Sequence, residues 1–310
     1  LSLPPFNFVI INFFTFSIFF IFLFKKLNLH LNKKIFFFYG WLFGFGYFFT
    51  NLYWITISLT FDQDLNFLIP IALVLIPAFL SLFYGLITLI FYLFRFRNLI
   101  SNFFLLSLLF GIIEFIRGNI LTGFPWNLII YSFSENLTFI SILSVLGTYS
   151  LNIIIISIFS APAILILRNS KKEVVVFVIL LTLPFISYFY GLTNKQKFLN
   201  SETNNNPYLV RIIGSNISLD RYYKNIKTDV VIEELIKLSS PNQNKKTFFI
   251  WPEGIVPDVY LDELVLYSDL FKKKFNENHL IGLGITSRLL DKNKYFNSFS
   301  LLDNNLNLIY

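Results

Sequence analysis

The sequence contains no cysteine and no methionine, and only 14% of its 310 residues are charged. Without cysteine, the chain itself can form no disulfide and offers no thiolate metal ligand or cysteine nucleophile. A natural chain of this length that lacks methionine even at position 1 is improbable. We therefore expect a segment of a longer protein, cut at its N-terminus and also at Tyr310, inside a predicted strand.

The low charge accompanies 55% hydrophobic and 20% aromatic residues. A soluble domain of this size could not bury 41 phenylalanines, so the composition predicts a membrane protein. The formal net charge of +7 does not lead us to expect a nucleic-acid partner, because basic residues of membrane proteins collect in cytoplasmic loops.

Apolar runs of about 20 residues, enough to cross a bilayer, recur along the first part of the chain. They cover 6–24, 35–58, 67–94, 99–117, 138–167 and 174–193. We therefore expect a polytopic α-helical membrane domain over residues 1–193. The uncharged stretch 118–134 contains Gly118, Gly123 and Pro125, which disfavour a helix interior, so we expect an external loop or a re-entrant segment there.

Charges in the predicted loops indicate how these spans are oriented. Basic residues follow the first, third and fifth spans, as Lys25, Lys26, Lys33, Lys34, Arg95, Arg97, Arg168, Lys171 and Lys172. The loop after the second span carries Asp62 and Asp64 and no basic residue. The positive-inside rule places the basic loops in the cytoplasm, so the region after the sixth span is expected to face outward.

The composition becomes polar at residue 194, and residues 194–207 are predicted to be a linker. Residues 208–310 have the pattern of an α/β domain. The predicted strands are 208–213, 246–251 and 279–286, the predicted helices are 221–238 and 260–275, and a hairpin is expected from 295–302 and 306–310.

Glu253 follows the predicted strand directly, within the stretch IWPEGIVPD. This position is the carboxyl end of a strand, where α/β sheets commonly build their sites. We expect Trp251 to desolvate the carboxylate, as suits a general base. On local grounds alone, the stretch favours the alternative, an acid in a solvated turn.

Two further features lie on the outer side of the membrane domain. Glu114 and Arg117 share one helical face, either as a functional pair or as an interfacial pair that orients the helix. The loop TGFPWN contains Gly123, Phe124, Pro125 and Trp126, which either line a lipid-facing pocket or anchor the chain at the interface. His30 and His279 have no acidic or thiol neighbours at ligand spacing, so we expect no metal site.

The order of these motifs resembles the apolipoprotein N-acyltransferase family over essentially the whole chain. The segments that carry the resemblance are EFIRGNILTGFPWNLIIYS, the GFGY…YW stretch at 44–58, VRIIGSNISLD, IWPEGIVPD and YFNSFSLL. The resemblance implies a bacterial inner-membrane protein with several spans and a periplasmic domain of the nitrilase, or carbon–nitrogen hydrolase, superfamily. Residues 208–310 would be the N-terminal part of that domain, an α-β-β-α sandwich.

The resemblance also implies an activity. Members transfer an acyl chain from a phospholipid to the diacylglyceryl-cysteine of an apolipoprotein, through a Glu-Lys-Cys triad and a thioester. Glu253 matches the general base, whereas the lysine and cysteine are expected beyond Tyr310, so this segment alone is expected to be inactive. Gly123, Phe124, Pro125, Trp126, Asn216 and Tyr222 are the implied substrate-binding residues, no cofactor is expected, and the protein is expected to be a monomer.

The sequence departs from the family in two details and leaves two other functions open. Gly214 and Ser215 precede Asn216 where the family has glutamine, and Tyr222-Tyr223 replaces a common tryptophan. One alternative is a membrane-anchored amidase with the nitrilase fold. The other is a transporter or receptor with an extracytoplasmic binding domain, which the near absence of charge within the spans disfavours.

Overall fold

The computed structural model describes residues 2–27, 29, 32–121, 123–201, 208–216 and 227–310. The chain divides into two compact units, which are Leu1–Ser201 and Glu202–Tyr310. His30, Thr122, Tyr222 and Tyr223, which the sequence analysis considered, lie outside the described residues.

The first unit is helical. Its helices are α1 (Ile11–Lys26), α2 (Lys33–Asn51), α3 (Ile69–Leu93), α4 (Leu99–Asn119), α5 (Leu137–Ile140), α6 (Leu143–Leu146), α7 (Thr148–Leu167) and α8 (Lys171–Asn200). Three 3₁₀ segments, Tyr53–Phe61, Gln63–Leu68 and Ile129–Phe133, connect them. Within the described residues, four helices are long and apolar enough to cross a membrane, or five if α2 and the following 3₁₀ segment, bent by 48°, form one span.

The helix bounds differ from the six predicted runs where local chemistry intervenes. The first helix starts at Ile11 because a turn precedes it, in which Asn7 adopts a left-handed conformation with φ of 54°. The run 138–167 is divided among α5, α6 and α7, with Gly147 at φ of 74° ahead of α7. Helix α8 extends to Asn200, so the first half of the predicted linker is helical, consistent with its lack of glycine and proline.

Helices α2 and α3 pack closely because small residues face the contact. A Cβ atom on Gly44 would lie 2.8 Å from the Cβ of Tyr84, and one on Gly40 would overlap the Tyr84 carbonyl oxygen. The Thr88 hydroxyl donates a hydrogen bond to the Phe36 carbonyl at 2.6 Å across the same contact. The two helices are therefore held at backbone-contact distance.

Aromatic side chains fill the rest of this core. Phe16 and Phe20 on α1 are buried, and Phe159 on α7 packs against Phe16 with ring centroids 6.3 Å apart. The Ser17 hydroxyl donates to the Phe159 carbonyl at 3.0 Å, which satisfies a polar group in an apolar interior. Part of the predicted external segment also enters this core, since Ile129 and Ile130 are fully buried.

The second unit contains a four-stranded sheet. Its strands are β1 (Leu209–Ile212), β2 (Thr247–Trp251), β3 (His279–Leu289) and β4 (Lys294–Leu302), in the order β1-β2-β3-β4. The first three strands are parallel, and β4 is antiparallel to β3. Helices α9 (Thr228–Ser239) and α10 (Ser268–Lys272) accompany them.

Several elements of this unit are shorter or differently arranged than predicted. Residues 260–275 form a 3₁₀ segment, Leu261–Tyr267, followed by the single turn of α10. The antiparallel partner of β4 is β3, whereas the predicted strand 306–310 contributes one isolated bridge, from Leu308 to Leu302. The Asp303 carboxylate accepts from the backbone N–H groups of Asn305 and Asn307, and these bonds shape the turn that follows β4.

The sheet buries one face more deeply than the other. Phe249 and Trp251 alternate inward from β2 and pack with Val231, Leu235 and Phe271 in the core. On the opposite face Phe248 and Ile250 are only half-buried, and Ile212 is exposed. His279 belongs to the buried side, where its Nδ1 accepts the Asn276 backbone N–H at 3.0 Å and its Nε2 lies 3.0 Å from the Asn242 carbonyl.

The close approach of α2 and α3 predicts that a larger residue at Gly40 lowers the stability of the first unit. We expect Gly40→Ala to destabilise the first unit by about 1–3 kcal/mol, as over-packing typically does, because the added methyl group overlaps the backbone of α3. Thermal unfolding in detergent micelles measures the effect. Gly46→Ala is the matched control on the same helix, since no atom lies within 4 Å of its added Cβ. Equal unfolding temperatures for the two variants would contradict this account of the contact.

Candidate functional site

Glu253 lies at the carboxyl end of β2, two residues beyond Trp251, and its side chain is exposed. Asn216 is exposed a few residues beyond the end of β1, the neighbouring parallel strand. Parallel strands end at the same edge of a sheet, so both residues belong to the edge where α/β sheets commonly bind ligands.

Strand β3 holds the backbone of Glu253 in place. The Gly254 N–H donates to the Gly284 carbonyl at 3.1 Å. A Cβ atom on Gly284 would lie 2.7 Å from the Glu253 Cα and 3.0 Å from its Cβ, so only glycine fits there without displacement. Gly284 therefore permits the close approach of the two backbones.

The carboxylate of Glu253 has a partner that the sequence analysis did not identify. The Asn297 amide nitrogen on β4 donates a hydrogen bond to Glu253 Oε1 at 2.5 Å. The sequence signal was present only as the motif YFNSF, since the position of β4 beside β3 is a long-range fact. The carboxylate is thus held at one oxygen by a neutral donor.

Trp251 does not desolvate Glu253, contrary to expectation. Its ring is buried on the opposite side of the sheet, where it packs against Phe271 at a centroid distance of 5.5 Å. Its indole N–H donates to the Ser239 hydroxyl at 2.9 Å. Strand β2 ends at Trp251, and Glu253 lies in the turn that follows, where Gly254 has φ of 58°. The turn carries Glu253 to the other face of the sheet, so the tryptophan supports the core rather than the carboxylate.

A cavity of about 400 Å³ lies beside this edge. Its lining residues are Gly254, Val256, Asp258, Val259, Tyr260, Ile285 and Thr286. Asp258 adopts a left-handed conformation with φ of 54°, which directs the chain around the cavity wall. The cavity therefore combines backbone, hydroxyl and carboxylate groups next to Glu253.

A cluster of charged side chains contacts Tyr260 in one wall of this cavity. The Arg288 guanidinium donates to Asp262 at 2.7 Å and to Glu263 at 2.7 Å, and lies 4.2 Å from the centre of the Tyr260 ring. The hydrogen bond from Arg288 holds the pKa of Asp262 below its ordinary value. The cluster fixes Tyr260 by stacking, and its charges are already paired with one another.

The membrane unit contains a second polar centre, on α4. Glu114 and Arg117 form an ion pair whose side chains are 1% and 0% exposed, respectively. The Arg117 Nε donates to Glu114 Oε2 at 2.7 Å, and the Tyr84 hydroxyl donates to Oε1 at 2.7 Å. The pair is therefore buried within the helical unit.

The loop after α4 is attached to this ion pair. The Trp126 carbonyl accepts from Arg117 Nη2 at 3.0 Å, and the Phe124 N–H donates to the Arg117 carbonyl at 3.0 Å. The guanidinium carbon of Arg117 lies 5.7 Å from the Phe124 ring centre. Gly123 has φ of 76°, and a Cβ there would lie 2.6 Å from the Gly118 carbonyl oxygen, so the turn requires glycine.

An apolar cavity of about 340 Å³ opens between α3, α4 and this loop. Its lining residues are Leu75, Ile76, Phe79, Leu80, Phe83, Arg117, Ile120, Leu121, Gly123 and Phe124. Arg117 is the charged residue in this wall, and its Nη1 is buried without a hydrogen-bond partner among the described residues. Gly123 and Phe124 line this cavity, whereas Pro125 and Trp126 are exposed.

The predicted site residues that the structure describes fall into two groups, one in each unit. Glu253 and Asn216 belong to the second unit, and the loop from Gly123 to Trp126 belongs to the first. Among the described residues no group of three or more histidine and acidic side chains is arranged to hold a metal ion. The polar residues that sequence reasoning missed are Asn297 and Tyr84, each supplied by a neighbouring element of the fold.

The helices and the sheet together define a multi-pass membrane protein that carries an α/β unit with a carboxylate at the sheet edge. A family model described as the apolipoprotein N-acyltransferase N-terminal domain matches residues 1–161, more than half of the chain. The chain therefore belongs to the apolipoprotein N-acyltransferase family, as the sequence motifs predicted.

Relatives with the name apolipoprotein N-acyltransferase extend the similarity into the second unit. The protein of Rhodopseudomonas palustris is 33% identical over 231 residues, which is 70% of this chain and 42% of the relative. That of Brucella suis is 29% identical over 223 residues, 70% of this chain and 41% of the relative. That of Rhizobium leguminosarum is 27% identical over 274 residues, 85% of this chain and 51% of the relative. The chain thus spans about half the length of these relatives.

Because the ion pair on α4 is buried, we expect the removal of either charge alone to lower the free energy of unfolding. Glu114→Gln or Arg117→Met alone leaves one buried charge unpaired, which typically costs about 3–5 kcal/mol. The double variant, which removes both charges, is expected to recover most of that loss. Thermal unfolding of the two single variants and the double variant measures the coupling, and Glu135→Gln, at an exposed acid, is the control. Simple addition of the two single losses would contradict the pairing.

Proposed function

We propose that this chain belongs to an enzyme that transfers an acyl chain from a phospholipid to the amino group of the diacylglyceryl-cysteine of an apolipoprotein. Membership of the family carries the proposal, supported by relatives of that name aligned over 70% to 85% of the chain. Because the chain spans about half of those relatives, the activity is proposed for a protein of their length that contains this segment.

The second unit is proposed to be the N-terminal part of a nitrilase-like α-β-β-α sandwich. The uneven burial of its sheet supports this architecture. One face is covered by α9 and α10, while Ile212 and Phe299 are exposed on the sheet and Phe248 and Ile250 are half-buried. A second sheet on the less buried face would remove these apolar side chains from water, as in two-layered sheet folds.

Glu253 is proposed to be the general base. Its exposed carboxylate at the carboxyl edge of β2, beside a cavity, supports this role. It would accept the proton of a cysteine thiol, and the thiolate would attack the phospholipid ester. A lysine would stabilise the oxyanion, and lysophospholipid would depart as its alcohol with the proton held by Glu253. The apolipoprotein amine would then attack the thioester, which forms the amide and releases the cysteine thiol. The lysine and the cysteine are proposed to lie beyond Tyr310.

The cavity between α3 and α4 is proposed to receive the phospholipid donor. Its apolar wall suits an acyl chain, and the buried N–H of Arg117 Nη1 offers one donor to an ester or phosphate oxygen. Gly123 and Phe124 would shape its entrance, while exposed Pro125 and Trp126 would meet the lipid interface. Asn216 and Tyr222 are proposed to contact substrate from the second unit.

The membrane orientation is proposed from the alternation of charged loops. The basic loops would face the cytoplasm, so the second unit would lie on the periplasmic side of the inner membrane, where the acceptor lipoproteins are found. No cofactor is required for this chemistry, because the ester is activated by the nucleophile and the oxyanion donors alone. We propose that the protein acts as a monomer.

Replacement of Glu253 tests the proposed chemistry. In the full-length protein, Glu253→Gln is expected to reduce thioester formation from phospholipid at least 100-fold, since general-base catalysis typically contributes about 10²–10⁴-fold. Mass spectrometry of the trapped acyl-enzyme measures it. Glu277→Gln is the matched control, an exposed acid in the same unit. Thioester accumulation at the unmodified rate in Glu253→Gln would overturn the assignment of the base.

Filling the membrane cavity tests the donor site. Leu75 is 60% exposed and lines the cavity, so Leu75→Trp should narrow it without disturbing the core. We expect the KM for phospholipid to rise about 10-fold, the effect of losing roughly 1.4 kcal/mol of binding. Val74→Trp, one residue away and 48% exposed, does not line this cavity and serves as control. Equal KM values for the two variants would exclude this cavity as the donor site.

A further inference from the structure

We propose that Asn297 is a positioning residue for the general base, an inference that rests on the proposed function of Glu253. Asn297 lies in the middle of β4 and donates its amide N–H to Glu253 Oε1 at 2.5 Å. This contact joins residues 44 positions apart in the sequence. The fold therefore creates this hydrogen bond, and no local sequence motif contains both residues.

The strand register places Asn297 on the correct side of the sheet. Asn297 is the cross-strand partner of Thr286 on β3, two residues beyond Gly284, against which Glu253 packs. Residues two apart on a strand share a face, and cross-strand partners share it too. Gly284, Thr286 and Asn297 thus form one surface beneath Glu253, and Thr286 continues into the wall of the adjoining cavity.

Separate contacts hold the backbone and the carboxyl group of Glu253. The Gly254–Gly284 hydrogen bond and the close packing at Gly284 fix its backbone. Asn297 fixes the rotation of its carboxyl group by binding one oxygen. Among the described residues, Oε2 has no hydrogen-bond donor, so this oxygen can accept a proton. A base whose oxygen is already directed needs less reorganisation when the proton moves.

The chemical identity of the donor matters as well as its position. An amide hydrogen bond favours the charged carboxylate, but less strongly than a paired cation would. Among the described residues, the nearby charged and titratable groups are Asp258 and Tyr260 on the cavity wall, Tyr295 on β4, whose ring lies 5.7 Å from that of Tyr260, and the Arg288 cluster. Arg288 is occupied by Asp262 and Glu263, so Asn297 is the side-chain donor that the described structure gives to Glu253.

Two substitutions at position 297 separate positioning from folding. In the full-length protein, Asn297→Ala removes the donor, and Asn297→Asp keeps the shape while placing a second carboxylate against Glu253. We expect thioester formation to slow about 10- to 100-fold in Asn297→Ala, the effect of losing one hydrogen bond to a charged group. The loss should be larger in Asn297→Asp, because like charges at this distance cannot both ionise freely.

A pH profile of thioester formation supplies the readout that a purely structural role would not move. The acidic limb should shift to higher pH in Asn297→Ala, since the charged form of the base loses a hydrogen bond, and further in Asn297→Asp. Asn244→Asp is the matched control, an exposed asparagine in the turn before β2. Thermal unfolding of each variant, measured in parallel, reports the folded fraction.

The possible results are distinct. An unchanged rate and an unmoved acidic limb in both variants would overturn the role of Asn297, and so would a rate that falls only with the folded fraction. In both cases the effect of Glu253→Gln would remain, and the proposed function would stand. If instead the unmodified protein forms no thioester from phospholipid, the proposed function fails, and the role of Asn297 fails with it.

Discussion

The buried ion pair between Glu114 and Arg117 organises the membrane unit. Two charges with almost no exposure are tolerable only when each is hydrogen-bonded. Here two hydrogen-bond partners and one aromatic ring come from three elements. Tyr84 contributes from α3 and the Trp126 carbonyl from the loop, while Phe48 of α2 lies 5.1 Å beneath the guanidinium. Because the pair requires all of them, it fixes the loop against α3 and α4 and so shapes the apolar cavity between them.

The same pair explains the mixed character of that cavity. The guanidinium has five N–H groups, and the protein satisfies part of them through Glu114 and Trp126 while Nη1 remains unpaired among the described residues. The rest of the wall is aliphatic and aromatic, from Leu75 to Phe124. An amphiphile with an oxygen next to an acyl chain matches this division, whereas a fully hydrophilic solute would lose its hydration on entry without replacement. The chemistry of the wall thus favours a lipid over a transported polar substrate.

Sequence reasoning succeeded where periodicity or motif order carries the information. The apolar runs indicated a polytopic helical domain, and the spacing of strands and helices after residue 207 indicated a sheet with a carboxylate at its edge. It failed where a long-range contact decides the outcome. Trp251 and Glu253 are two residues apart, yet the tryptophan is buried in the core and the glutamate is exposed. Burial of 129–130 likewise depends on α7, where the Asn152 side chain accepts the Ile130 N–H at 3.0 Å. No local pattern in an uncharged loop reveals such a partner.

The surroundings of Glu253 show how a sheet can prepare a carboxylate without burying it. Burial in an apolar pocket would favour the neutral acid, which cannot accept a proton. A neighbouring cation would favour the carboxylate strongly but weaken it as a base. In this fold a glycine admits the glutamate backbone against β3, and one neutral amide from β4 directs a single oxygen. Among the described residues the other carboxylate oxygen therefore has no hydrogen-bond donor while the rotation of the group is restricted, an arrangement that suits the proposed proton abstraction from a thiol.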